Sequence, residues 1–314
     1  MRRWLSVIAN DSLLFLTAVI WGVAFVAQRA GMEHVGPFTY NAVRFSIGSL
    51  SLVPLLLLRR RPARRPEGPA RGAGIAVARG PALWTGGMLA GAVLFLGASF
   101  QQAGLVYTTA GKGGFITGLY VVLVPLTGLF RRQRAGWGGW VGATLSLCGL
   151  FLLSVSDRFT MERGDLLVLA SALFWTAHVQ IVGWLSPRTD PLGLACIQFA
   201  VCAVLCAAGA ALTETVRLSG ILQAAVPILY GGLLSVGVAF TLQVVAQAKA
   251  PPTHAAVILS LESVFAALGG ALILSERLGT RGTVGCAIMF AGMLFSQVPR
   301  LLGAAGLASP GVAR

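Results

Sequence analysis

Apolar and polar positions alternate along this chain on the scale of whole helices rather than single residues. Apolar runs of about 18–24 residues recur from one end to the other, a length that crosses a hydrocarbon core of about 30 Å as helix. Barrel strands would instead show alternating runs of about 10 residues. The pattern therefore predicts an all-α polytopic membrane protein with ten spans, at residues 13–30, 37–58, 83–106, 113–130, 137–155, 165–184, 191–212, 222–246, 255–274 and 283–299.

Composition and charge agree with a membrane protein. The 314 residues are 56% hydrophobic and only 11% charged, too little charge to cover a soluble domain. The net charge of +14 is concentrated in loops such as "RRRPARRPEGPARG" and "RRQR", as is typical of cytoplasmic loops. No soluble module accompanies this charge, so nucleic-acid binding is not expected. We expect a multi-pass protein of a bacterial cytoplasmic (inner) membrane, with both termini cytoplasmic.

The start of the chain, its motifs and its cysteines bear on processing, enzymatic chemistry and cofactors. Asn10 and Asp11 interrupt the apolar start of the chain, which predicts a retained first helix rather than a cleaved signal. Catalytic, phosphate-binding and dinucleotide motifs are missing from the sequence, so we expect neither an enzyme nor a cofactor. The cysteines lie inside spans, without C-x-x-C or histidine pairing, and are expected to pack rather than bind metal. They are Cys148, Cys196, Cys202, Cys206 and Cys286.

The two halves of the sequence repeat each other. Residues 18–45 align without a gap on residues 172–199, which places Trp21 over Trp175. Each half has five spans, an odd number, so the second half must be inverted in the membrane. Inverted repeats are typical of secondary transporters, whose site lies near the midplane between the halves. Further aligned pairs are Pro37 with Pro191, Phe45 with Phe199, Gly142 with Gly285, and Gly149 with Gly292.

The predicted organisation has three parts. Residues 1–157 form a first five-helix repeat, residues 158–300 a second, inverted one, and residues 301–314 a flexible tail. Glycine and serine recur every four residues in several spans, as at Gly138, Gly142 and Ser146, a spacing that lets helices approach closely.

Four stretches resemble the drug/metabolite transporter superfamily, specifically proteins with two EamA repeats. They are "AVIWGVAFV", "PFTYNAVRF", "YTTAGKGGFITGLYVVLVP" and "SLESVFAALGGALILSERL", and the resemblance covers about residues 12–299. It implies ten helices around a central cavity and transport of small metabolites, amino acids or drug-like compounds, frequently driven by a proton or solute gradient. Two departures are "FRRQR" where the first repeat would carry an S-E-R-L stretch, and Ser263 where a proline usually follows the glutamate.

Glu262 is the acidic residue that the sequence places deep in a span; the other nine lie at or beyond predicted span ends. An ionised carboxylate there costs several kcal/mol unless it is paired, hydrated or protonated. One interpretation is proton coupling or substrate contact, and the other is a neutral or paired acid that joins helices. At about 1.5 Å per residue, Glu262 lies about 10 Å from the cytoplasmic boundary, level with His178 and Gln198. His178 is either a proton partner of Glu262 or a packing histidine.

Arg44 is expected nearer the other face, about 10 Å below it. Asn41 shares its helix face, and the guanidinium either attracts a carboxylate or phosphate in a cavity or bonds to carbonyls as a structural group. Lys112 and His254 begin spans, where interfacial anchoring is the favoured interpretation. Trp21 and Trp175 fall near the midplane and either wall a pocket or pack the core. The candidate substrate-binding residues are Trp21, Gln28, Asn41, Arg44, Gln102, Tyr120, Trp175, His178, Gln198 and Gln243; the candidates for proton coupling are Glu262 and His178.

The sequence thus favours a secondary transporter of a small metabolite, amino acid or drug-like solute, working by alternating access, with proton coupling and export as the finer expectation. An anionic or zwitterionic substrate is expected because basic groups outnumber acidic ones inside the membrane. Two alternatives stay open: a carrier that exports lipids or hydrophobic drugs, and a membrane scaffold subunit without transport. The expected partners are the substrate and the lipid bilayer.

Overall fold

A computed structural model describes residues 2–59, 81–130, 133, 136–154, 163–273 and 279–304. Within these ranges the chain forms α-helices and one π-helical segment, and no β-strand. The π segment is Tyr230–Phe240. The α-helices are α1 (Arg2–Gly31), α2 (Pro37–Arg59), α3 (Pro81–Leu105), α4 (Ala110–Gly118), α5 (Tyr120–Phe130), α6 (Trp137–Ser154), α7 (Arg163–Leu185), α8 (Pro191–Thr213), α9 (Leu218–Gln223), α10 (Ala225–Leu229), α11 (Thr241–Gln247), α12 (Pro252–Leu259), α13 (Glu262–Ile273) and α14 (Thr280–Ala304).

These helices form the ten predicted spans and confirm the all-α membrane fold. In the described ranges, nine helical stretches are long and apolar enough to cross a membrane, and α6, apolar over Trp137–Leu152, is the shorter tenth. Pro37 and Pro191 are the first residues of α2 and α8, where the missing N–H has no helical partner to lose. Hydrophobicity and proline position were therefore sufficient to locate the spans.

Three spans are interrupted, which hydropathy did not predict. The fourth span changes from α4 to α5 at Leu119, and the ninth changes from α12 to α13 around Leu261. At both breaks the backbone N–H bonds to a carbonyl three residues earlier, at 3.2 Å, so the helix is wound tightly for one turn. The second segments of these spans begin with Tyr120 and Glu262. The eighth span consists of α10, the π segment and α11.

The packing of α6 against α14 displays the inverted symmetry directly. A Cβ added to Gly149 would lie 2.5 Å from the carbonyl oxygen of Gly285, and one added to Gly142 would lie 3.0 Å from that of Gly292. The sequence alignment pairs Gly142 with Gly285 and Gly149 with Gly292. The two contacts are therefore images of each other under a two-fold operation, and they require glycine because the facing atoms are backbone.

Of the two predicted boundaries between the three parts, only the second can be compared with the structure. The junction between repeats, at residues 157 and 158, lies outside the described residues. Residues 305–314 of the expected tail lie outside them as well, whereas α14 continues as helix to Ala304, four residues into that segment.

Candidate functional site

A central cavity lies between the two halves. It has about 30 Å³ accessible to a water molecule, enough for a few waters at about 10–15 Å³ each. Both halves contribute to its wall through α1, α2, α3, α4, α5, α7, the π segment, α11 and α13. The lining residues are Trp21, Phe25, Gln28, Arg44, Gln101, Thr117, Tyr120, Trp175, Val179, Ser235, Phe240, Gln243 and Glu262.

Aromatic rings form the apolar wall of the cavity. The ring centroid of Phe240 lies 4.4 Å from that of Trp21 and 5.8 Å from that of Trp175. Both indole N–H groups are used within the wall: Trp175 Nε1 donates to Gln101 Oε1 at 2.7 Å, and Trp21 Nε1 donates to the carbonyl of Ser235 at 3.2 Å. The two tryptophans therefore offer flat apolar surface rather than hydrogen-bond donors to the cavity.

Arg44 brings a cation to the cavity from α2. Its side chain is 2% exposed, and its Nε donates to Asn41 Oδ1 at 2.9 Å. Asn41 is itself fixed, because its Nδ2 donates to the carbonyl of Ala98 at 3.1 Å. The guanidinium also stacks over the ring of Phe45, at 4.9 Å. Among the described residues no carboxylate forms an ion pair with Arg44. A buried cation without a counter-ion is costly, so this position is suited to an anionic ligand.

Glu262 brings an acid to the same cavity at the start of α13, where it is 3% exposed. Tyr120 lies beside Glu262 and the two side chains interact, while Glu262 Oε1 has no other hydrogen-bond partner within the described ranges. Arg44 and Glu262 were expected at different depths, and they line one cavity. The carboxyl group thus lines the same cavity as Arg44, where it can accept a hydrogen bond from a ligand.

Several other polar atoms at the cavity lack a partner in the part of the chain that the structure describes. These are Thr117 Oγ1 and both amide atoms of Gln243, a side chain only 1% exposed. Buried polar groups are nearly always hydrogen-bonded in folded proteins. Water or a polar ligand bound at this wall would therefore supply the missing hydrogen bonds.

Four predicted site residues lie behind the cavity wall rather than in it. His178 Nε2 bonds to Gln198 Oε1 at 2.9 Å, and the imidazole packs edge-on against Trp175 and Phe240. Gln102 Nε2 donates to the carbonyl of Gln28 at 3.3 Å. Asn41, the fourth, orients Arg44 as described above. Their contacts hold lining residues in position.

Six lining residues were absent from the predicted site: Phe25, Gln101, Thr117, Val179, Ser235 and Phe240. Thr117 precedes Tyr120 by three residues, a helical spacing that could have indicated it. Of the neighbours Gln101 and Gln102, only Gln102 was included in the predicted site. The amide of Gln101 donates to Gln28 Oε1 at 3.1 Å, so it belongs to the wall. Ser235 and Phe240 had no sequence signal because they lie in the π segment.

Two ion pairs near the ends of the spans were also not predicted. Lys112 Nζ lies 2.5 Å from Asp165 Oδ2, and His254 Nε2 lies 2.9 Å from Asp11 Oδ1. Lys112 and His254 were expected to be interfacial anchors, and each contacts a buried aspartate of the opposite half. In the described residues no cluster of three or more histidine, cysteine, aspartate or glutamate side chains could hold a metal ion.

Ten spans in two inverted halves around a buried polar cavity are the architecture of a secondary transporter. The EamA-like transporter family model matches the sequence twice, over residues 9–155 and 162–297. The chain therefore belongs to the EamA-like transporter family and is a membrane transporter, not an enzyme.

Similar proteins support this family membership, and their names state no substrate. An uncharacterized transporter of Archaeoglobus fulgidus is 33% identical, over 85% of this chain and 79% of its own. An uncharacterized protein of Pseudomonas aeruginosa is 32% identical, over 93% and 96%. A WAT1-related chloroplastic protein of Arabidopsis thaliana is 24% identical, over 89% and 67%. A crystal structure superposes with a TM-score of 0.72 at 20% identity, covering 96% of this chain and 99% of that one, and shows the same fold.

Proposed function

We propose that this transporter is an alternating-access carrier for a small anionic or zwitterionic solute, coupled to protons through Glu262. The observation that carries the proposal is the presence, in one cavity, of a buried cation that has no counter-ion among the described residues and of a buried acid. We further propose that it lies in the cytoplasmic membrane with both termini inside, because the basic loops lie on the face of the N-terminus. Export is the proposed direction, on the family resemblance alone.

Arg44 supports an anionic group on the substrate. Guanidinium recognises carboxylate and phosphate with two parallel hydrogen bonds, and Asn41 already fixes the plane of the Arg44 side chain. The flat wall of Trp21, Trp175 and Phe240 would hold an apolar or planar part of the same molecule. The amide of Gln243, which has no partner among the described residues, supplies further polar contacts.

Glu262 supports proton coupling. A carboxyl group in a narrow, mostly apolar cavity is stable when protonated and becomes costly when ionised. Opening of the cavity to water on one side would favour release of the proton, and a substrate with a positive group would compete for the same oxygen atoms. Proton and substrate binding at Glu262 would then be linked, which is the requirement for coupled transport.

The small size of the cavity supports alternation between states. A free volume of about 30 Å³ admits water but not a metabolite, so substrate binding requires the halves to separate. A carrier that rocks its halves around a central site would pass through such a closed arrangement.

Purified protein in liposomes with an imposed pH gradient tests the proposal. A pool of amino acids and small metabolites is offered, and the contents are identified by mass spectrometry. We expect gradient-dependent movement of an anionic or zwitterionic compound, and loss of the gradient dependence in Glu262→Gln. Glu33→Gln, at an exposed position, is the matched control. Transport with the same gradient dependence in Glu262→Gln would remove the coupling role and leave the carrier.

The aromatic wall favours a second candidate, a carrier for lipids or hydrophobic drugs. Such a substrate would need Trp21, Trp175 and Phe240 but not Arg44. A fluorescent lipid and a hydrophobic dye, assayed in the same liposomes, separate the two candidates. Movement of these probes that is unchanged in Arg44→Gln would favour the second one. If neither pool moves while a known carrier works in parallel, the substrate lies outside both pools.

A further inference from the structure

The two ion pairs described above both join the first half of the chain to the second. Lys112 of α4 reaches Asp165 of α7, and His254 of α12 reaches Asp11 of α1. Asp165 also accepts a hydrogen bond from Thr108, at 2.9 Å between Thr108 Oγ1 and Asp165 Oδ1. Both aspartates are buried. Separation of the halves at either ion pair would expose a buried carboxylate to water or move its basic partner away.

The two pairs are images of each other under the inverted repeat. The alignment that places Trp21 over Trp175, continued toward the N-terminus without a gap, places Asp11 over Asp165. Lys112 is the third residue of α4 and His254 the third residue of α12, the first segments of the two interrupted spans. Each half therefore contributes one acidic and one basic position. Their recurrence in both halves is not expected of incidental surface contacts.

Because the repeat is inverted, the pairs lie at opposite faces. Counting spans, Asp11 and His254 lie near the face that carries the N-terminus, and Lys112 and Asp165 lie near the other face. Between them is the central cavity. From His254 to Glu262, and from Lys112 to Tyr120, the chain advances roughly two helical turns, about 12 Å. Each pair thus lies about two helical turns from the cavity, toward one face.

We propose that these pairs are the two gates of the transport cycle, a step that rests on the proposed alternating access. Opening toward the N-terminal face breaks His254–Asp11 and keeps Lys112–Asp165, and opening toward the other face does the reverse. In the present structure both pairs are formed and the cavity is too small for a solute, which is the closed intermediate. Weakening one gate shifts the population toward the state open at that face.

Hydrogen exchange measured by mass spectrometry, on protein in lipid nanodiscs, tests the gates without a substrate. The readouts are the backbone amides at the start of α4, residues 108–114, and at the start of α12, residues 252–258. For Lys112→Gln we expect faster exchange at the start of α4 and slower exchange at the start of α12. Asp11→Asn should produce the opposite pattern. We expect the ratio of the two rates to change by about tenfold in each direction. Lys249→Gln, an exposed lysine, is the control.

A variant that retains the ion pair serves as a control for misfolding. His254→Lys gives the N-terminal gate a permanent charge, so exchange should slow at α12 and rise at the distant α4. Faster exchange confined to the mutated pair, or a change of the same sign at both faces, would overturn the proposal and leave the pairs as fixed contacts between the halves. Because no transport is measured, an absence of substrate movement in the liposome assay would not affect this outcome.

Discussion

Arg44 in the first half and Gln198 in the second occupy the same place in the repeat, since the alignment pairs Phe45 with Phe199. Arg44 lines the cavity and lacks a counter-ion among the described residues, whereas Gln198 lies behind the wall and is bonded to His178. The frame of the halves is therefore symmetric and their chemistry is not. A carrier needs similar halves to open alternately at two faces, and a single site needs dissimilar ones to bind an asymmetric solute.

Other matched positions show the same contrast. When the break in the fourth span is aligned with the break in the ninth, Tyr120 is matched with Glu262. A neutral phenol in the first half therefore corresponds to an acid in the second. The same register, carried back to the third and eighth spans, places Gln101 on Gln243. Gln101 is bonded to Trp175 and to Gln28, whereas the amide of Gln243 has no partner in the described part of the chain. In the glutamine pair, as in the pair of Arg44 and Gln198, one residue is bonded to its neighbours and the other is available to a ligand.

Arg44→Gln should have the largest effect, because it gives the first half the residue found at the matched position, Gln198, in the second half. Hydrogen bonds to a charged group contribute about 1.5–3 kcal/mol, so we expect transport of an anionic solute to fall by about 10–100-fold. Stability should not fall with it, because an uncompensated buried charge is removed. Liposome uptake and thermal unfolding are the measurements, with exposed Arg188→Gln as the control. Unaltered transport in both Arg44→Gln and Arg44→Lys would make Arg44 a structural residue.

Damage to the symmetric frame should instead lower stability. The Cβ of Gly149→Ala would lie 2.5 Å from the carbonyl of Gly285, on a helix that packs along its length against α6. Overpacking of this kind costs about 1–3 kcal/mol of unfolding free energy. Thermal unfolding in detergent measures the change, and Gly136→Ala is the matched control because nothing lies within 4 Å of its added Cβ. Equal stability in the two variants would mean that α6 and α14 can separate without loss.

Substitutions of the two matched glutamines, Gln101 and Gln243, should have the smallest effects. Gln101→Ala leaves Trp175 Nε1 and the amide of Gln28 without this partner, so we expect unfolding free energy to fall by about 1–3 kcal/mol. Gln243→Ala removes an amide that has no partner in the described ranges, so stability should hold while transport falls by about tenfold. The reverse assignment of the two losses would contradict the division between wall and site.

The frame could be predicted from sequence because long apolar runs and an ungapped repeat determine where helices cross and how they are related. Arg44, Glu262 and the two tryptophans were also identifiable, since polar or large amphipathic residues are conspicuous inside apolar spans. The break at Leu119 and the π segment could not be predicted, because hydropathy records side-chain polarity and carries no record of backbone hydrogen-bond register. The choice between Gln101 and Gln102 failed for a related reason: adjacent residues point about 100° apart on a helix, and only the packing decides which one faces inward.

The π segment makes one wall of the cavity sensitive to chain length. Ser235 and Phe240 are five residues apart and would point about 140° away from each other on an α-helix, yet both face the cavity. Bonding five residues apart brings them to one side. Deletion of a single residue that restored ordinary winding would rotate everything before it by about 100° and withdraw one of these side chains. This stretch should therefore tolerate a change of residue more readily than a change in the number of residues.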